Sequence, residues 1–213
     1  MTWIKDEFIA DLLKNPVEVT TSSWIIERIP HIFSDNREQY LKWKHELSKR
    51  IKVDSAAILL TGSSAVGISL NPDKNYRPFS DGSDIDIAII SDYYFNVSWY
   101  FLRNLGSERY RYPPLIIQSI DDHVTRYIYW GTIATDKILS IMPFGKIWSN
   151  AIDEMKKIDP TIDKDIKLRI YKDFECLRYY QSRNLKNLKN ILLEGDTPNV
   201  KVLEHDDSNN SMV

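Results

Sequence analysis

The sequence predicts an α+β protein in which a small sheet is flanked by helices and followed by a helical C-terminal portion. Three observations lead there. Two short apolar runs, Ala56–Leu60 and Ile85–Ile90, have strand length and end in polar residues. Stretches before and after them carry apolar residues at helical spacing. The pattern from Thr161 to about Gly195 is the longest of these and is rich in Lys and Arg.

Taken in order, Trp3–Leu13 reads as a packing helix ended by Asn15-Pro16. Thr20–Ser23 can cap a short second helix through Trp24, Ile25, Ile26 and Ile29, stopped by Pro30. From Ser34 or Asp35, the spacing of Tyr40, Leu41, Trp43, Leu47 and Ile51 predicts an amphipathic helix. Glu38 and Glu46 interrupt its basic face, which fits a solvated surface. His31 and His45 have no neighbours at metal-ligand spacing.

The run Ala56–Leu60 stops at Thr61-Gly62-Ser63-Ser64, a small-residue turn whose backbone N–H groups and hydroxyls can approach an anion closely. The second run opens with Ser83-Asp84-Ile85-Asp86. Strand side chains alternate between faces, so Asp84 and Asp86 point the same way. Two neighbouring carboxylates repel unless a cation lies between them. Mg²⁺ commonly binds through one or two carboxylates together with substrate phosphates.

Beyond that strand, Asp92 can cap an aromatic-rich helix ending at Gly106, its rings read chiefly as core. Arg109-Tyr110-Arg111-Tyr112-Pro113-Pro114 reads as a loop and is the best local candidate for an RNA or nucleotide contact. Gly131–Lys137 reads better as helix than strand, and Phe144–Ile158 as a helix broken by Asp159-Pro160. Three parts result: 1–158, a core with N-terminal helices; 159–195, the helical portion; and 196–213, a polar tail expected to be mobile.

At the Gly-Ser turn and the Asp-x-Asp strand the chain resembles the nucleotidyltransferase superfamily that includes DNA polymerase β. The matches are Gly62 and Ser63, then Asp84 and Asp86, and they cover about 36 residues, the span of the paired signature. The resemblance implies a small mixed nucleotidyltransferase sheet and Mg²⁺ (or Mn²⁺) held by Asp84 and Asp86. It implies phosphates held at Gly62, Ser63 and Ser64, and an NTP substrate, expected to be ATP. The implied activity is transfer of a nucleoside monophosphate to a hydroxyl of a protein, a tRNA or another acceptor. Minimal bacterial members suggest a toxin-antitoxin or phage-defence setting.

Relatives use a third carboxylate from a later strand. Candidates are Asp121, Asp122 and Asp136, while Ser140 in Leu139-Ser140-Ile141-Met142-Pro143 stands where some relatives carry Asp. Either one of those acids completes the site, or the protein is a catalytically silent nucleotide-binding or antitoxin-like module. A plainer alternative makes Asp84 and Asp86 solvated residues at a strand end. The loop Ser64–Ser83 is longer than in compact relatives and can shape an acceptor site. Arg169 or Lys172, from the C-terminal portion, can meet a triphosphate.

A net charge of −2 gives no global basicity, although a local basic patch is compatible with it. The single cysteine, Cys176, excludes an internal disulfide and reads as packing. With neither a signal-peptide pattern nor a membrane-length apolar run, the expectation is a cytoplasmic protein without a membrane partner. The oligomeric state is left open.

Overall fold

A computed structural model describes residues 2–71 and 74–194. The expected tail, 196–213, and Pro72 and Asp73 of the long loop lie outside the described residues. Four strands form one mixed sheet in the order β1-β2-β4-β3: β1 Ile58–Thr61, β2 Ile85–Ile90, β3 Thr132–Ala134 and β4 Ile166–Tyr171. β2 and β4 are the central pair and run parallel, while β1 and β3 lie antiparallel at the edges.

The helices are α1 Thr2–Lys14, α2 Val17–Thr21, α3 Arg37–Ile51, α4 Gly62–Val66, α5 Asp92–Leu105, α6 Pro114–Asp122, α7 Thr135–Ile138, α8 Gly145–Met155 and α9 Phe174–Glu194. Their ends follow local chemistry. Asn36 accepts a hydrogen bond from the Gln39 N–H at the start of α3. Ser91, one residue before the expected Asp92, does the same for the Tyr94 N–H of α5.

Strand alternation divides the sheet into two unlike faces. Ile58, Leu60, Ile85, Ile87, Ile89, Ile133, Ile166, Leu168 and Ile170 join the main core. That core also takes Trp43 and Leu47 of α3, Leu102 of α5, and Trp148 and Met155 of α8. On the opposite face Leu59, Ala88 and Tyr171 pack with Leu177 of α9 in a much smaller cluster. The same face carries Asp86, Lys167 and Arg169 by alternation, so one side of the sheet is built for stability and the other is partly polar.

Three local expectations are corrected. Ile166–Tyr171 is not the start of the C-terminal helix but a central strand, so the helical portion begins at Phe174. The pattern was ambiguous because Ile166 and Ile170 satisfy helical spacing, while Ile166, Leu168 and Ile170 also alternate with Lys167, Arg169 and Tyr171. Gly131–Lys137 is turn, strand and one helical turn, with the Thr132 hydroxyl donating to the Ile170 carbonyl at 2.9 Å. Leu139–Ile141 is a 3-10 turn, so Ser140 does not occupy a strand position.

Candidate functional site

β1 delivers the Gly-Ser turn to the acids through its pairing with β2. Thr61 is the register partner of Asp86, and the chain then turns sharply into α4. Gly62 makes that turn with φ of +64°, and a Cβ at this position would lie 2.5 Å from Asp86 Oδ2. Glycine is therefore required twice, for the left-handed backbone and for the close approach of the carboxylate. Gly62 and Asp86, 24 positions apart in the chain by difference (86 − 62), meet in space.

The serines divide in role. Ser64 is fully buried and donates to the Thr61 carbonyl at 3.0 Å, which closes the turn. Ser63 is half-buried beside it. Of the residues expected to hold phosphate, Gly62 lies against Asp86, Ser63 follows it at the start of α4, and Ser64 has its hydroxyl committed to the backbone.

Lys167 stands next to Asp86 across the central pair, where adjacent strands are about 4.8 Å apart. Its ammonium donates to Asp84 Oδ2 at 2.6 Å. Burial alone would lower Lys167, but this bond and the charges of Asp84, Asp86 and Asp136 hold it above the ordinary lysine range. Burial pushes Asp86 up to about 6; Arg169 and Lys167 oppose that rise, and the charges of Asp84 and Asp136 add to it. Arg169, two residues along β4, donates to the Tyr180 hydroxyl of α9 at 2.7 Å.

Among the three expected third acids, Asp136 is the one whose charge acts on both Asp86 and Lys167. It follows β3 by two residues, at the far side of β4 from β2. Asp121 pairs with Arg109 at 2.9 Å, and Asp122 with Arg126 at 3.2 Å. The first of these pairs also draws Arg109, expected as a nucleic-acid contact, towards α6. Among the described residues, no group of three or more His, Cys, Asp and Glu side chains is gathered to hold a metal.

His123 is fully buried, and its two ring nitrogens contact the Ser119 carbonyl at 2.5 Å and the Ala134 N–H at 3.0 Å. An N–H can only donate, so Nε2 accepts and Nδ1 carries the proton: the ring is neutral. Burial accordingly drives it down to about 4, with the Ser119 hydrogen bond working against that shift. His123 ties α6 to the strand preceding Asp136. Its role is to hold that strand.

Sequence reading missed the position of Lys167, and the signal that could have found it was the period-two alternation of 166–171. It placed Gly62, Ser63, Asp84 and Asp86 in one motif, of which the structure brings Gly62 against Asp86. The chain matches no protein-family model, no curated protein and no solved structure. Among the described residues no helix is long and apolar enough to cross a membrane.

Proposed function

We propose that this protein is a metal-dependent nucleotidyltransferase that moves a nucleoside monophosphate from an NTP, with ATP as the expected donor, to an acceptor hydroxyl. One observation carries the reading: the Gly62 backbone lies directly against the Asp86 carboxylate, so the Gly-Ser turn and the acid pair share one place. Two carboxylates are hard oxygen donors and suit Mg²⁺ or Mn²⁺, which take their remaining positions from water and phosphate oxygens.

Asp84 and Asp86 would hold the metal. When bound it neutralises charge on the triphosphate. Gly62 and Ser63 would offer backbone N–H groups and a hydroxyl to the phosphates. In the reaction the acceptor oxygen bonds to the α-phosphorus as the bond to the bridging β-phosphate oxygen breaks. Pyrophosphate leaves with the electron pair, and the hydroxyl proton passes to solvent water. Lys167 is placed to attract a phosphate oxygen once its hold on Asp84 is shared with another cation. The protein's contribution is positioning and charge placement. A protein or a tRNA is the acceptor class this reading carries, in a toxin-antitoxin or phage-defence setting.

A second reading is favoured by a specific observation. Lys167, a cation, stands beside Asp86 on the neighbouring central strand, and it supplies the positive charge that the acid pair needs. A nucleotide-binding or antitoxin-like module without turnover would be built in this way. Incubation with α-labelled ATP, Mg²⁺ and cell extract separates the two. Transfer of label by the wild type and its loss in Asp84→Ala/Asp86→Ala supports the enzyme. Retention of nucleotide without transfer to any acceptor supports the module.

A further inference from the structure

A second surface lies at the other end of β4, beyond Tyr171. Here α5, the turn before β3 and the start of α9 enclose an open cleft of about 560 Å³. Its walls are aromatic: Trp99 on one side, Trp130 and Tyr179 on the other. Trp130 and Tyr179 stack nearly parallel, with centroids 5.4 Å apart and planes at 17°. The Arg183 guanidinium covers Trp130 at 4.4 Å, and the Arg103 guanidinium covers Trp99 at 5.3 Å.

Arg103 also lines a neighbouring groove that contains Arg109 and Tyr110, themselves in contact at 4.9 Å. The two depressions are thus joined by one residue. A track of alternating aromatic rings and guanidinium groups runs from Tyr110, through Trp99, to Trp130 and Tyr179. Lys172 is exposed at the rim and forms no ion pair among the described residues. Glu175 is the acid lining this cleft; neighbouring Asp173 is engaged by the Cys176 N–H at 2.7 Å.

Trp99 and Trp130 are half-buried, each with a guanidinium over its ring, while tyrosines around them are exposed. Tyr110 is 64% exposed, Tyr129 at the cleft 78%, and Tyr179 56%. Exposed rings offer stacking to any base, and cations beside them offer contacts to the phosphates of a backbone. A duplex, whose bases are already stacked, can use the cations but not the rings.

We propose that this track binds an unpaired nucleic-acid strand, with bases stacked on the exposed Tyr129 and Tyr179 against the walls formed by Trp99 and Trp130, and phosphates met by Arg103, Lys172 and Arg183. The surface is distinct from the acid pair, so its binding requires neither metal nor NTP.

The test uses the full chain, without Mg²⁺ or nucleotide, and a fluorescein-labelled 12-nucleotide single-stranded RNA of mixed sequence. Anisotropy should show saturable binding at low salt, accompanied by quenching of tryptophan emission and weakened by added salt. The same sequence as a duplex should bind less tightly. Trp130→Ala and Tyr179→Ala should each weaken single-strand binding by roughly tenfold, and Tyr179→Phe should retain it. Arg183→Gln should reduce both affinity and the salt dependence. Tyr129→Ala, at the most exposed ring of the cleft, should weaken single-strand binding likewise, and circular dichroism checks the folding of every variant. Absence of saturable binding by the wild type overturns the proposal. So does equal affinity for the duplex, or displacement by inorganic polyphosphate with no effect of the aromatic substitutions, which would mark a general polyanion surface.

Discussion

The Lys167 ammonium bridges two strands of the sheet by donating to Asp84 at 2.6 Å while standing in register with Asp86. The acid pair therefore has an internal counter-charge, and any metal must share Asp84 with it. Lys167→Met should unmask the repulsion between the acids. Because the bridge is partly exposed, the cost is modest, about 0.5–1 kcal/mol. In EDTA this lowers the melting temperature by about 1–4 °C for a chain of this size. Mg²⁺ should restore the loss in the variant by more than it stabilises the wild type. A melting temperature unmoved by the substitution, with or without Mg²⁺, would remove Lys167 from the charge balance.

Gly62→Ala forces a Cβ to within 2.5 Å of Asp86 Oδ2 at a residue with φ of +64°. The left-handed backbone alone costs about 1–2 kcal/mol with an L side chain. The carboxylate must then move, so label transfer should fall much further than stability. Denaturant unfolding and transfer assays on the same preparation check the two effects together. Full transfer activity in Gly62→Ala would sever the turn from the chemistry.

Asp86→Asn should trade function for stability. Burial raises Asp86 to about 6, so in metal-free protein its contribution is present at low pH and is lost as pH rises through about 6. At pH 8 the folded protein holds a carboxylate that its surroundings disfavour. The variant should melt higher than the wild type at pH 8 in EDTA, nearly equally at pH 4, and transfer no label. A lower melting temperature at pH 8 would show that the Lys167 and Arg169 partners outweigh desolvation.

His123 gives the opposite slope. Its folded value, about 4, lies below the ordinary histidine range, so the unfolded chain binds the extra proton first. Stability is complete above about pH 6.5 and falls as pH drops toward 4, by up to about 3 kcal/mol. Protonation would also turn the Nε2 acceptor of the Ala134 N–H into a second donor. The Asp86 and His123 slopes partly cancel between pH 4 and 6. The acid-side loss should therefore be steeper in Asp86→Asn than in the wild type, as read by melts across pH 4–8.

Cys176 illustrates a residue whose reading needed little beyond its neighbours. Burial, followed by its contact with Asp173, lifts the thiol to about 11, and its sulfur packs against Gly131. The thiol form dominates near neutrality. Alkylating reagents should react slowly with the native protein and rapidly after denaturation.

The sequence by itself determined the motif and the apolar runs that carry it. Gly62, Ser63, Asp84 and Asp86 are legible because a strand ending and an alternating acid pair depend on neighbours within a few residues. The helices α3, α5 and α8 are legible for the same reason, since a 3.6-residue repeat persists over 11 to 15 residues. Only the tertiary structure decided what stands beside the acids. Six residues, Ile166–Tyr171, satisfy helix and strand patterns alike, and pairing with β2 selects the strand. That choice places Lys167 next to Asp86 and brings Asp136 within electrostatic reach. It also sets the aromatic cleft beyond the opposite end of the same strand. Local spacing fixes the direction in which side chains point along one element; which charges meet across elements is set by strand register, a long-range property that no short window of sequence contains.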